Sequence, residues 1–548
     1  MKTTISSFTA LNEEFVELAF RHDPVAATNV GIHDYDHLLP DDSPEGFAAR
    51  LAWLRDFEGR LNSSLALDEL PTAQRVDFTL LRSWVEWLAA DLEQIHDPAR
   101  NPVRYPETAL MGVFLLMARP FAPLEERKEA ILERMMAIPD YLANARANLR
   151  QVPEVFVTIA SEVTATGPAF VDEVVRVLLA NFPAEAERIE HGGERARMGF
   201  LQYQAFLERD LRNRTGGTFA IGEDRMNFKL ARQHMLAMDC VALEAFGREQ
   251  MESTRALLDA EARRIDSSRS WREQVADARS RHPDPLRLRD AYQAEVERAR
   301  QFTLEKRLAP IPEGRLEIIE TPVFERPIIP FSTYLAPAPF DVEHVGYFYV
   351  TPIDPSRERD EQEQQLHGHC YAALPLIALH ETYPGHHLQL LHACRAGSRP
   401  RRLAVSSLFS EGWALYCEEL MQEQGFFLDP VTRLFQLRDL MWRACRVVID
   451  AGLHSGRMSF EQAVDLLVEE AMLERVNAES EVKRYTLTPT QPMSYLVGKK
   501  LIIELRDEAR RRMGPGFDLH GFHAALLASG SLPPALIGQE IWARIGAK

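Results

Sequence analysis

The chain has 548 residues, with 63 Lys and Arg against 81 Asp and Glu, for a net charge of −18. A composition 46% hydrophobic and 26% charged is that of an ordinary globular protein, and the length corresponds to roughly three or four domains. The acid excess excludes the basic footprint of a nucleic-acid binder and the polybasic face of a membrane-surface protein.

Met1 to Phe20 carries Glu13, Glu14 and Glu17 and has no apolar export core. The longest apolar run, Ala109 to Ala118, ends at Arg119 and is about half the length of a membrane span. The five cysteines are an odd set without a C-x-x-C pair, so a reduced, cytoplasmic chain without disulfides or membrane contact is expected.

In chain order, the first 300 residues read as successive helices. Ser43-Pro44-Glu45 predicts an N-cap followed by Pro at the first helical position. Ile131, Met135, Ile138 and Leu142 form a helical core stripe, with a kink or break expected at Pro139. Gly216 to Gly222 reads as a turn with one small strand, and Ser267–Ser270 and Arg281–Pro285 as loops. Pro310 to Pro355 holds nine prolines in 46 residues, against about 2.8 at the chain average. Between them, Arg315–Glu320, Ser332–Leu335 and Gly346–Val350 are β-like, which predicts a small irregular sheet. Arg357–Gln365 is expected to be a solvated loop, and the rest of the chain helical. Ser459-Phe460-Glu461-Gln462 is a capping box. A helix is expected over Pro492–Met513, closed by Gly514.

Six of the 17 histidines lie between His367 and His392. At their centre is His380-Glu381-Thr382-Tyr383-Pro384-Gly385-His386-His387. His-Glu opens the zinc-protease helix signature, but Pro384 stands where its second histidine belongs. On a regular helix His386 would lie ~120° from His380, and His387 on the same face but ~10 Å along the axis. Neither can share an ion with His380 at bonds of about 2 Å unless the helix is irregular. Pro384 lacks an N–H and Gly385 tolerates unusual dihedrals, so a bulge of two residues would bring His386 into place. His387 is the alternative if the register differs by one. Glu411 is the candidate third ligand. Glu418, seven residues on, lies ~20° away on a helix and is placed to hold a ligating imidazole from behind. His367, His369 and His392 read as loop or surface residues, and the cysteines as buried thiols.

The His380–His387 motif resembles a bacterial family catalogued as domain of unknown function 885. So do Ser410-Glu411-Gly412-Trp413-Ala414-Leu415-Tyr416-Cys417-Glu418, Arg484-Tyr485, and Pro489 to Gly498. That family resembles the helical gluzincin peptidases carboxypeptidase Taq, thimet oligopeptidase and angiotensin-converting enzyme. The resemblance implies Zn²⁺ held by His380, His386 and Glu411, with Glu418 behind and Glu381 as general base. It further implies an oxyanion donor at Tyr495, with Tyr485 as substitute. Thr490 and Pro492 around Gln491 depart from the family pattern, which bears on substrate preference more than on metal binding. Arg484 is a candidate for holding a substrate carboxylate, with a structural ion pair as the alternative.

The expectation is a mainly α, zincin-like metallopeptidase body with a small β-sheet beside a deep central cleft. Its parts would be a helical lobe (1–305), a β-containing insert (306–355) and a helical catalytic lobe (356–548). It would hydrolyse short peptides as a carboxypeptidase or oligopeptidase. The rivals are a zinc hydrolase of a non-peptide amide and a non-catalytic helical scaffold. Oligomeric state stays open.

Overall fold

The computed structural model describes residues 2–63, 67–322, 326 and 331–546. The fold is mainly helical with one three-stranded sheet. Two compact units emerge: 1–221 with 322–327 and 338–342, and 222–321 with 328–337 and 343–548.

In the first unit, Phe8, Phe15, Leu54, Phe57, Leu81 and Val85 form a buried core among the N-terminal helices. Ser43 caps the helix that Pro44 opens, its Oγ accepting the Gly46 N–H at 3.0 Å. Three long helices follow: α1 (Leu124–Asn148), α2 (Glu154–Asn181) and α3 (Ala186–Phe206). α1 runs through Pro139, so of the expected kink or break the break does not occur. The interior proline costs about 3 kcal/mol, while each fully buried aliphatic side chain contributes about 1.5–3 kcal/mol. Ile131, Met135, Ile138 and Leu142 are all buried, so packing wins. Gly216–Gly222 contains no strand; Gly217 and Gly222 both take φ of +90°, which an extended strand cannot use.

The second unit includes the long helices α4 (Cys240–Ile265) and α5 (Leu288–Glu305), the latter followed by β1 (Arg315–Glu320), β2 (Ser332–Leu335) and β3 (Val345–Val350). The strands lie within a residue of the expected ranges because the prolines punctuate rather than interrupt them. The order is β1-β3-β2, with β1 parallel and β2 antiparallel to β3. Phe348, Tyr349 and Val350 bury the central strand, and Tyr292 of α5 packs edge-on against Phe348.

Two expectations are corrected here. Arg359–His367 is a helix, not a loop: Asp360 and Glu361 favour its N-terminus, and buried Leu366 anchors it. His369 is buried, not exposed, and hydrogen-bonds the Tyr292 hydroxyl at 2.8 Å. A half-buried His392 also has a partner, the Pro310 carbonyl, 2.9 Å from its Nε2.

The remaining helices carry the candidate site: α6 (Leu374–Glu381), α7 (His386–Ala393), α8 (Ser407–Glu423), α9 (Pro430–Ser455), α10 (Arg475–Leu487) and α11 (Ser494–Met513). Gly412 of α8 and Gly498 of α11 let these two backbones touch: a Cβ on Gly498 would fall 1.8 Å from the Leu408 carbonyl oxygen. The Ser459 capping box is formed, and all five cysteines are buried free thiols. Among the described residues, no helix is long and apolar enough to cross a membrane.

Candidate metal centre

α6 stops at Glu381 and α7 starts at His386. Across the gap, the Gly385 N–H bonds the Leu379 carbonyl (3.1 Å) and the Leu388 N–H bonds the Thr382 carbonyl (3.2 Å). Both bonds reach back six residues where a helix reaches four, so two residues are looped out. The Pro384 carbonyl, turned out of the helix, accepts from Trp413 Nε1 (2.8 Å) and Cys417 Sγ (3.5 Å) of α8. Gly385 is required by space: a Cβ there would sit 2.0 Å from the His380 carbonyl oxygen.

The consequence is convergence. One ligand atom each from His380, His386 and Glu411 lie within 4.8 Å of one another. His380 Nδ1 is held by Glu418 Oε1 at 2.8 Å, leaving its Nε2 available. His386 Nε2 lies 3.2 Å from Glu411 Oε2, and its Nδ1 is 3.4 Å from Ser410 Oγ. Glu411 Oε2 is buried and, despite that proximity, has no aligned hydrogen bond. Ligand atoms around a tetrahedral zinc with bonds of about 2 Å stand ~3.3 Å apart. Two imidazole nitrogens and an unsatisfied carboxylate oxygen at these spacings fit that ion in number, type and reach.

Electrostatics agree. Burial by itself would raise the Glu411 carboxyl, but contact with His386 and the charges of His380 and Arg446 bring it down to about 2. Burial by itself would lower His386, but the Glu411 carboxylate outweighs it and holds the ring above its ordinary value. The group thus favours a positive charge between ring and carboxylate, the place a cation would take from a proton.

Around this group the other predicted residues separate. His387 is turned away: fully buried, its Nδ1 is 2.7 Å from the Tyr334 hydroxyl, and burial lowers it to about 4. Glu381 is partly exposed and makes no hydrogen bond or ion pair with a described residue. The Tyr495 ring lies over that of His380 with centroids 6.4 Å apart and planes 16° apart. Burial, then the charge of Glu411, pushes its phenol above the ordinary value, so it holds its proton. Tyr485 is fully buried; its hydroxyl donates to Glu481 (2.6 Å) and accepts from Trp442 Nε1 (3.1 Å). Arg484 pairs with Glu481 at 2.7 Å and reaches Gln491 Oε1 at 3.2 Å.

The profile of the family described as "Bacterial protein of unknown function (DUF885)" matches residues 24–541. The chain belongs to this family. This DUF885 chain shares its fold with a protein of unknown function from Shewanella oneidensis, at TM-score 0.81 and 23% identity over 97% of this chain and 99% of that one. It also shares it with a protein from Colwellia psychrerythraea, at TM-score 0.84 and 18% identity over 99% of each. Both are named "putative lipoprotein". No curated protein matches.

Two residues of the DUF885 site receive no role from a reading of motifs. Ser410 touches His386, and Arg446 of α9 stacks on the Tyr495 ring with its guanidinium 4.1 Å from the centroid. Arg446 could have been noticed as a charge within the apolar run of α9, with Asp450 one turn later.

Proposed function

We propose that the chain is a zinc-dependent peptidase of short peptides, a carboxypeptidase or oligopeptidase, with a zincin-like body and a central substrate cleft. The observation that carries this reading is the convergence of His380, His386 and Glu411 with Glu418 behind His380. His380, His386 and Glu411 would hold the ion. Bound there, zinc supplies Lewis acidity toward water and the scissile carbonyl.

The chain's own groups do the rest. Glu381, next in sequence to His380 and without a hydrogen bond or ion pair among the described residues, takes the proton of the attacking water and returns it to the leaving amine. Tyr495, protonated beside His380, donates a hydrogen bond to the oxyanion. Glu418 fixes the His380 ring through Nδ1. β1 and β2 are the outer strands of the sheet and offer edges on which an extended peptide can pair. Arg484 would have to exchange Glu481 to hold a substrate carboxylate.

Glu381→Gln tests the chemistry. Zinc should stay near one per chain while peptide hydrolysis falls about 10²–10⁴-fold. Unchanged turnover in this variant refutes the general-base role. Cleavage of small amides but of no peptide by the wild type would move the substrate to a non-peptide amide.

A further inference from the structure

Tyr495 is the second residue of α11, so the first turn of that helix decides where its hydroxyl stands. That turn lacks a cap of its own: Met493, at the N-cap position, has a side chain that bonds no backbone N–H. The segment that leads into it is held from another helix. Asp450 of α9, fully buried, accepts the Thr490 N–H on Oδ1 (3.0 Å) and the Met493 N–H on Oδ2 (3.1 Å).

The captured segment is strained. Thr490 takes φ of +75°, a conformation that costs a β-branched residue about 1–3 kcal/mol. It is held there from both sides. Its hydroxyl donates to the Pro489 carbonyl, so buried His234 donates to it from Nε2 at 2.8 Å. This conformation places Gln491 where its Oε1 accepts from Arg484 (3.2 Å) and Arg446 (3.5 Å).

α9 therefore grips Tyr495 at two points one turn apart. Arg446 lies on the ring and Asp450 on the backbone before it. Asp450 touches none of His380, His386 and Glu411.

We propose that Asp450 is a positioning residue: by accepting the Thr490 and Met493 N–H groups it fixes the first turn of α11, and so the Tyr495 hydroxyl, against the His380–His386–Glu411 group. Its effect on rate rests on the peptidase reading; its effect on Tyr495 does not. Misplacing a catalytic group by about 1 Å can cost 10²-fold in rate.

The test is Asp450→Asn, which keeps the shape but leaves one of the two N–H groups facing an amide NH₂. In zinc-loaded protein kcat should fall at least about tenfold, with KM and zinc content unchanged. In metal-free protein carrying 3-fluorotyrosine at position 495, the ¹⁹F resonance should shift or broaden. An unchanged resonance overturns the proposal, whatever happens to kcat. So does a shifted resonance with unchanged kcat in an active enzyme. A shifted resonance when no form of the protein cleaves peptides keeps the positioning claim and sinks the peptidase reading. Should the Asn variant not fold, Asp450→Glu carries the test: it keeps a carboxylate but displaces it by one methylene from the Thr490 and Met493 N–H groups. A resonance as sharp and as placed as in the wild type then overturns the proposal.

Discussion

Gly498→Ala should disable the site without touching a ligand. The added Cβ would lie 1.8 Å from the Leu408 carbonyl oxygen and 2.8 Å from Gly412 Cα, where ordinary contact begins at 3.4 Å. The first gap falls short by 3.4 − 1.8 = 1.6 Å, and the opposing atoms are backbone. No rotamer change can make room, so α8 and α11 must separate or tilt. Overpacking of this kind costs about 1–3 kcal/mol, and backbone against backbone belongs at the upper end. Because Glu411 rides on α8 and Tyr495 on α11, separation of the order of 1 Å should lower turnover by up to about 10²-fold. Zinc content should fall less than turnover, since two of the three ligands, His380 and His386, lie on neither α8 nor α11. Thermal unfolding followed by circular dichroism, zinc analysis and peptide hydrolysis on one preparation give the three numbers. Wild-type melting and turnover together would refute the backbone contact as the spacer between Glu411 and Tyr495.

Glu418→Gln replaces the acceptor behind His380 and should weaken zinc binding about 10–100-fold in chelator competition; undiminished affinity would deny Glu418 that role. Metal content should collapse in His386→Ala and persist in His387→Ala, whose ring faces Tyr334; the reverse pattern would place the bulge in the wrong register. Stability should fall as the medium is acidified. Burial lowers His234 to about 3 and His369 and His523 to about 4, against 6.5 for an unperturbed ring. At these three rings the unfolded chain binds the extra protons, so their contribution is complete above about pH 6.5 and is lost as pH falls from there toward 3–4, partly offset by Glu107 and Asp450, which burial raises to about 7. At 1.36 kcal/mol per pKa unit, His369 and His523 each contribute up to about 3 kcal/mol and His234 up to about 5 kcal/mol. A melting temperature flat from pH 7 to 4.5 would contradict this.

Much of the molecule was legible in sequence because the signals are local. Helix caps at Ser43 and Ser459 act over three or four residues. Proline punctuation marked the three strands to within a residue. The irregular helix at Pro384-Gly385 followed from one missing N–H and one missing Cβ. Where local reading failed, a distant partner had overruled it. Pro139 stays inside α1 because four neighbours are buried against the rest of the first unit. His369 is drawn inside by Tyr292, 77 residues earlier in the chain.

The candidate site divides in the same way. Sequence alone determined the residue types and the need for a bulge, since both depend on chemistry within eight consecutive residues. Tertiary structure alone decided that His386 rather than His387 faces Glu411, and that Tyr485 is occupied by Glu481 and Trp442 while Tyr495 is not. It also decided that Arg446 and Asp450 reach Tyr495 and the turn before it. These facts depend on how α8, α9 and α11 pack. Packing is set by glycines and buried side chains dozens of residues apart, whose meeting no local spacing encodes.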